Sequence, residues 1–212
     1  MRITVFGATG GVGREIVRQG LEAGHHVTAV VRDPSRLPVR HGERLEVFTA
    51  ARLDDPEALR PAVAGRDAVL SGLGPRGRGQ VGVASSLTRS VLRAMEAEGV
   101  RRFLAVSAAP LGPVPQDETP WLRLLTPVVS WVLRAHYDDL RAMETALRDS
   151  AADWTSVRPP RLVDAPLTGR YRTALDANPR GGARIARADV AHAMLALTTD
   201  PAAVRRAVGV AY

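Results

Sequence analysis

The sequence predicts one α/β domain, a doubly wound and mostly parallel sheet with helices on both faces. Three observations predict it. Short apolar runs alternate with stretches of helical periodicity along the chain. A run of closely spaced glycines stands between the first strand and the first helix. The 212 residues, with no repeat, low-complexity tract or linker, suit a single core of this size.

The elements follow in order. Ile3–Phe6 reads as a buried strand, and Ile16, Val17, Gln19 and Leu21 mark a helix over Gly11–Ala23. Val27–Val31 is a second strand, followed by a short helix near Pro34 with Asp33 placed to cap it. A third strand is expected at Leu45–Phe48, a helix at Asp55–Val63, a fourth strand at Ala68–Gly72 and a helix at Val81–Glu98. Phe103–Ser107 is a fifth strand. A long helical region then covers about Trp121–Ser150, with Pro127 a candidate break. Trp154–Arg158 reads as a sixth strand, Asp189–Thr198 as a helix and Ala207–Val210 as a last short strand. Right-handed crossovers then imply the strand order 3-2-1-4-5-6, with a ligand beyond the carboxyl ends of the strands, where the first and fourth part.

The glycines carry the first chemical expectation. Gly7, Gly10 and Gly13 recur every third residue in Phe6-Gly7-Ala8-Thr9-Gly10-Gly11-Val12-Gly13. Strand, glycine turn and helix are what a dinucleotide pyrophosphate requires. The first glycine permits the tight turn, the second lets backbone approach the phosphates, and the third lets helix pack close on strand. The chain is therefore expected to form one Rossmann-type NAD(P)-binding domain over 1–212, with substrate-side loops at about 108–135 and 159–182. After the second strand stands Arg32, with Ser35 and Arg36 one turn on. Two guanidinium groups suit the 2′-phosphate of NADP(H) better than the ribose hydroxyls of NAD(H).

Composition narrows the classes. No cysteine occurs, which excludes disulfides and thiol chemistry. No histidine pair has metal-binding spacing with a carboxylate, and no metal site is expected. The net charge is +7, but all 29 basic residues are arginine, scattered and not interleaved with aromatics, so no nucleic-acid partner is expected. The apolar stretch 121–135 is broken by Arg123, Pro127 and Arg134, so no membrane association is expected either. With a strand beginning at once after Met1, the expectation is a cytoplasmic protein without a signal peptide, and a monomer. The lack of lysine rules out a Tyr-x-x-x-Lys pair. Tyr137 and Arg141 have that spacing, but arginine does not share protons, and Tyr137 reads better as a partly exposed helix residue. His136 beside it is a further, weaker candidate. The proline-rich loop 110–120, with Trp121, reads equally as a lid or as a plain connection.

Five segments carry a family likeness: Phe6-Gly7-Ala8-Thr9-Gly10, Val31–Leu37, Val63–Val69, Arg158-Pro159-Pro160-Arg161 and Ala165-Pro166-Leu167-Thr168-Gly169-Arg170-Tyr171. Over nearly its whole length the chain resembles the atypical short-chain dehydrogenase/reductases, on the side of biliverdin reductase B, also called flavin reductase. The resemblance implies an NADPH-dependent reductase acting on flavins, quinones or linear tetrapyrroles. By position it implies that Gly7, Thr9, Gly10, Gly11 and Val12, beside Gly13, meet the pyrophosphate, and that Arg32, Ser35 and Arg36 meet the 2′-phosphate. It puts Leu73 and Gly74 against the ribose and Ser107 beside nicotinamide and substrate.

Two positions depart from the pattern. A Gly-Asp pair expected near the adenine is replaced by Ala50 and Ala51, followed by Arg52, leaving adenine to packing and backbone. A histidine after Pro-Pro is replaced by Arg161, which cannot act as a general acid but can hold an anion or stabilise charge on a reduced acceptor. The candidate catalytic residues are thus Ser107 and Arg161. The competing class is a non-catalytic NmrA-like protein that binds NADP(H) and reports redox state to a partner. A sugar epimerase or dehydratase is disfavoured by chain length and by the missing lysine.

Overall fold

A computed structural model describes residues 1–37, 42–73, 82–113 and 134–212. Its main sheet has eight strands in the order β3-β2-β1-β4-β5-β6-β10-β8. The strands β1 (Arg2–Phe6), β2 (His26–Val31), β3 (Leu45–Thr49), β4 (Ala68–Ser71), β5 (Arg102–Val106) and β6 (Asp153–Arg158) stand in the predicted order and are parallel. The last strand, β10 (Arg206–Ala211), extends the sheet parallel to β6, and β8 (Arg172–Leu175) closes that edge antiparallel. A separate two-stranded parallel ribbon joins β7 (Arg161–Val163) to β9 (Arg184–Ala186).

β1, β4 and β5 are apolar runs because helices cover both faces of the sheet. One core cluster lies under α1 (Gly11–Glu22) and α5 (Arg187–Leu197), where Ile16, Val17, Val190 and Met194 meet Ile3, Val5 and Leu70. The other lies under α2 (Pro56–Val63), α3 (Val83–Ala97) and α4 (Arg134–Asp149), where Leu59, Val91, Met95, Met143 and Leu147 meet Phe6, Val69 and Phe103.

Polar anchors fix the helix ends. Asp33 and Asp55 cap the turn at Pro34–Arg36 and α2 through the backbone N–H of Ser35 and Glu57. The N-terminus of α3 is capped from another helix, since the buried Asp139 carboxylate on α4 accepts from the N–H groups of Ala84 and Ser85, both at 3.0 Å. At the C-terminus of α5 the Arg102 guanidinium donates to the carbonyls of Leu197 and Thr198 and, across to β6, of Asp153. A cation there complements the helix dipole.

Most expected elements lie within two residues of their predicted bounds. β7, β8 and β9 were not foreseen. They are three or four residues long, and Arg172-Thr173-Ala174-Leu175 lies largely exposed on an edge without alternating apolarity. The helix expected at Asp189–Thr198 begins earlier, at Arg187. Of the long helical region only Arg134–Asp149 can be described. Residues 121–133 and most of the candidate lid lie outside the described residues.

Candidate active site

The carboxyl ends of β1, β2, β4 and β5 open into a cleft of about 740 Å³. Its floor is the glycine turn. Gly7 has φ +72°, a left-handed conformation that glycine adopts without strain. A Cβ there would lie 2.8 Å from the carbonyl carbon of Gly72, and a Cβ on Gly13 would lie 2.1 Å from the Gly7 oxygen. Gly7, Gly13 and Gly72 thus form a backbone-on-backbone contact that draws α1 onto β1 and β4. Gly13, expected among the cofactor residues, makes this packing contact, while Gly7, Thr9, Gly10 and Val12 line the cleft. The first turn of α1 has no acidic residue and no side-chain cap, so its positive end faces the cleft uncompensated by the helix itself.

Arg32 lines the cleft at the end of β2, and Ala51, Arg52, Leu53 and Asp54 line it after β3. Arg52 is paired with Asp54 at 3.3 Å and remains largely exposed. Asp33 accepts from both the N–H and the hydroxyl of Ser35, which holds the turn that carries Arg36. Neither Arg32 nor Arg36 forms an ion pair with any described carboxylate. Of the three residues expected at the 2′-phosphate, Arg32 alone lines the cleft, with Ser35 and Arg36 on the adjoining turn. Gly72 and Leu73 line the cleft after β4, and Gly74 lies outside the described residues.

Ser107 lines the cleft at the end of β5. Its hydroxyl donates to Oε1 of Glu144 at 2.9 Å, and the same oxygen accepts from the Ser156 hydroxyl and from Nε of Arg158, both at 2.8 Å. Nη2 of Arg158 (2.6 Å) and Nη2 of Arg148 (3.0 Å) donate to Oε2. Glu144 is 3% exposed and Arg158 5%. Burial pushes the Glu144 carboxyl up, but hydrogen bonds from Arg158, Ser156 and Ser107 more than reverse this and leave it below its ordinary value. Glu144 is thus an ionised buried carboxylate that holds the Ser107 proton and leaves the serine oxygen lone pairs available to accept. Nothing in the sequence marks Glu144. An acidic residue in a polar helix gives no signal of what it meets 37 residues away.

Tyr137 is 7% exposed and packs in the core with Leu140 and Met143, which corrects its expected partial exposure. Burial pushes its hydroxyl up, and Arg141 pairs with Asp138 at 2.7 Å. His136 does line the cleft, beside Leu140 of the same helix and with Val83 of α3, and burial pushes it below its ordinary value. Arg161 begins β7 in an exposed position, and it is the neighbouring Leu162 that lines the cleft. Arg187, at the first position of α5, lines the cleft and was not foreseen.

The Pro166-Leu167-Thr168-Gly169 run is held on the fully buried Asp189. That carboxylate accepts from the N–H groups of Thr168 (3.1 Å) and Gly169 (2.8 Å), from the Thr168 hydroxyl, and from the Tyr212 hydroxyl (2.6 Å). The motif thus ties the 164–171 loop to α5.

A glycine-floored cleft at the switch point of a doubly wound sheet, with an arginine beyond β2, defines a dinucleotide-binding protein. The chain belongs to the NAD(P)H-binding family, whose pattern matches residues 7–201. A 3-diazoavenalumate denitrifying reductase of Streptomyces sp is 34% identical over 146 residues, which are 62% of this chain and 47% of that protein. The uncharacterized protein YwnB of Bacillus subtilis (strain 168) is 29% identical over 205 residues, 92% of this chain and 91% of its own. The chain spans between a third and a half of the length of the first curated relatives it matches. A short-chain dehydrogenase/reductase (wide type) from Veillonella parvula DSM 2008, solved in complex with NADP, superposes with a TM-score of 0.81 at 22% identity, covering 100% of this chain and 94% of that one. At that identity the likeness is one of fold. Among the described residues no helix is long and apolar enough to cross a membrane.

Proposed function

We propose that the protein is an NADPH-dependent reductase that passes hydride to a flavin, a quinone or a related conjugated acceptor. The observation that carries this reading is the single cleft running from Arg32, over the glycine floor, to Ser107. Its residues fit the cofactor. Gly7 and Gly13 leave no room for a Cβ where backbone must turn under a pyrophosphate, and Arg32 has no described carboxylate to neutralise it. When bound, NADPH supplies the hydride.

The protein's part is placement and field. The α1 N-terminus would hold the pyrophosphate, with Arg32 and, from the adjoining turn, Arg36 and Ser35 at the 2′-phosphate. Ala51, Arg52 and Leu73 would pack about adenine and ribose. Ser107, its proton held by Glu144, would accept a hydrogen bond from the nicotinamide amide or the acceptor. No tyrosine or lysine stands ready to protonate a carbonyl, because Tyr137 is in the core, and burial disfavours the protonated form of His136 on the cleft wall. That favours acceptors that take their proton from water over ketones and aldehydes. Arg161, beside Leu162 at the cleft edge, would meet an anionic group of the acceptor.

The test is NADPH oxidation, followed by loss of nicotinamide absorbance, with FMN, a quinone and biliverdin as acceptors, in wild type and Arg161→Ala. Turnover with FMN or the quinone supports the reading, and a selective loss in Arg161→Ala places that residue at the acceptor. NADPH binding without turnover on any acceptor would favour a non-catalytic NADP(H)-binding sensor instead.

A further inference from the structure

We propose that Arg187 is a ligand of the cofactor pyrophosphate, swung in from α5 over the start of α1. The assignment rests on the reading of the cleft as a dinucleotide site. The Arg187 side chain lies across Gly11, so closely that a Cβ there would be 2.5 Å from its Cδ and 2.7 Å from its Nε. Gly11 is the first residue of α1, whose opening N–H groups point to where the pyrophosphate must lie. The missing Gly11 side chain is therefore what lets an arginine share that position.

Helix preference does not explain this arginine. It is the first residue of α5, where the helix dipole disfavours a cation. Its one partner among the described residues is Asp164, with Nη1 2.9 Å from Oδ1. The same oxygen lies 3.6 Å from Nη2 of Arg14, and the Asp164 side chain is 72% exposed. An ion pair so open to water holds weakly, and a pyrophosphate with two negative charges, already drawn to the α1 N-terminus, displaces it. Asp164 then acts as a stand-in carboxylate that keeps the guanidinium over the glycine turn until the cofactor arrives. The pair also joins the cofactor floor to the 164–171 loop that Asp189 anchors, so cofactor binding and the substrate-side loop share a contact.

Dissociation constants for NADPH and for adenosine 2′-monophosphate, which has the adenine and 2′-phosphate but no pyrophosphate, test this in wild type, Arg187→Gln, Arg187→Lys and Asp164→Asn. One charge-assisted contact corresponds to roughly a ten- to hundredfold change in affinity. Arg187→Gln is expected to weaken NADPH by about that factor and leave adenosine 2′-monophosphate unchanged, with Arg187→Lys in between. Asp164→Asn is expected to bind NADPH at least as tightly as wild type. The assignment is overturned if Arg187→Gln binds NADPH normally, if it loses both ligands alike, or if Asp164→Asn weakens NADPH as much as Arg187→Gln does. A wild type that binds no NADPH overturns the dinucleotide reading itself, and this assignment with it.

Discussion

The Ser107 hydroxyl donates a hydrogen bond to Glu144, a buried carboxylate that Arg158 grips with two nitrogens. One helix residue thereby orients the end of β5, the end of β6 and the serine at the cleft. Removing Glu144 leaves Arg158 buried without a carboxylate, and removing Arg158 leaves the buried Glu144 only the exposed Arg148, at a loss of about 3–5 kcal/mol in each case. Glu144→Ala and Arg158→Ala should each be destabilised by that order in denaturant unfolding, whereas Glu144→Leu combined with Arg158→Met should regain much of the loss. Equal stability of the single and double variants would contradict a coupled pair.

The pH dependence follows from the sign of the shift. The Glu144 and Asp189 carboxyls lie below their ordinary values in the folded protein, in each case because hydrogen bonds outweigh burial. Each therefore adds stability that is complete above the unfolded carboxylate pKa of about 4 and is lost as pH falls through the lower folded value. Melting temperature should be flat near neutrality and drop in acid. Glu144→Gln should melt lower near neutrality and show a shallower acid drop. A parallel drop in wild type and variant would show that this carboxylate does not drive it.

Gly13→Ala tests the floor of the cleft. Its Cβ would stand 2.1 Å from the Gly7 carbonyl oxygen and 2.6 Å from the Gly7 carbonyl carbon, backbone atoms rather than the end of a flexible side chain. Overpacking of this kind costs about 1–3 kcal/mol, and α1 should lift from β1. Both thermal stability and NADPH affinity are expected to fall, measured by melting and by fluorescence titration. Gly65→Ala, at a turn with φ +66° and nothing within 4 Å of the added carbon, should leave NADPH affinity unchanged.

These features differ in how far the sequence disclosed them. The glycine spacing, the strand order and the Asp33 cap were legible because each is local, or follows from handedness and short connections. Arg32 was legible because it directly follows a predicted strand. Glu144 and Arg187 were not. Glu144 draws its meaning from Ser107 and Arg158, on two strands that only the folded sheet brings beside α4. Arg187 was hidden among 29 arginines, just ahead of a helix whose start was placed at Asp189. The Pro-Leu-Thr-Gly run was visible as a motif, but its partner, Asp189, lies 20 residues beyond Gly169 and meets it only across the fold.

The measurement closest to the central claim is kcat/KM for NADPH and for NADH with one quinone acceptor, in wild type and Arg32→Ala. The account predicts turnover with NADPH favoured at least tenfold, and a loss of roughly ten- to hundredfold in Arg32→Ala confined to NADPH, as one charge-assisted phosphate contact requires. Equal use of the two cofactors, or equal effects of Arg32→Ala on both, would contradict it.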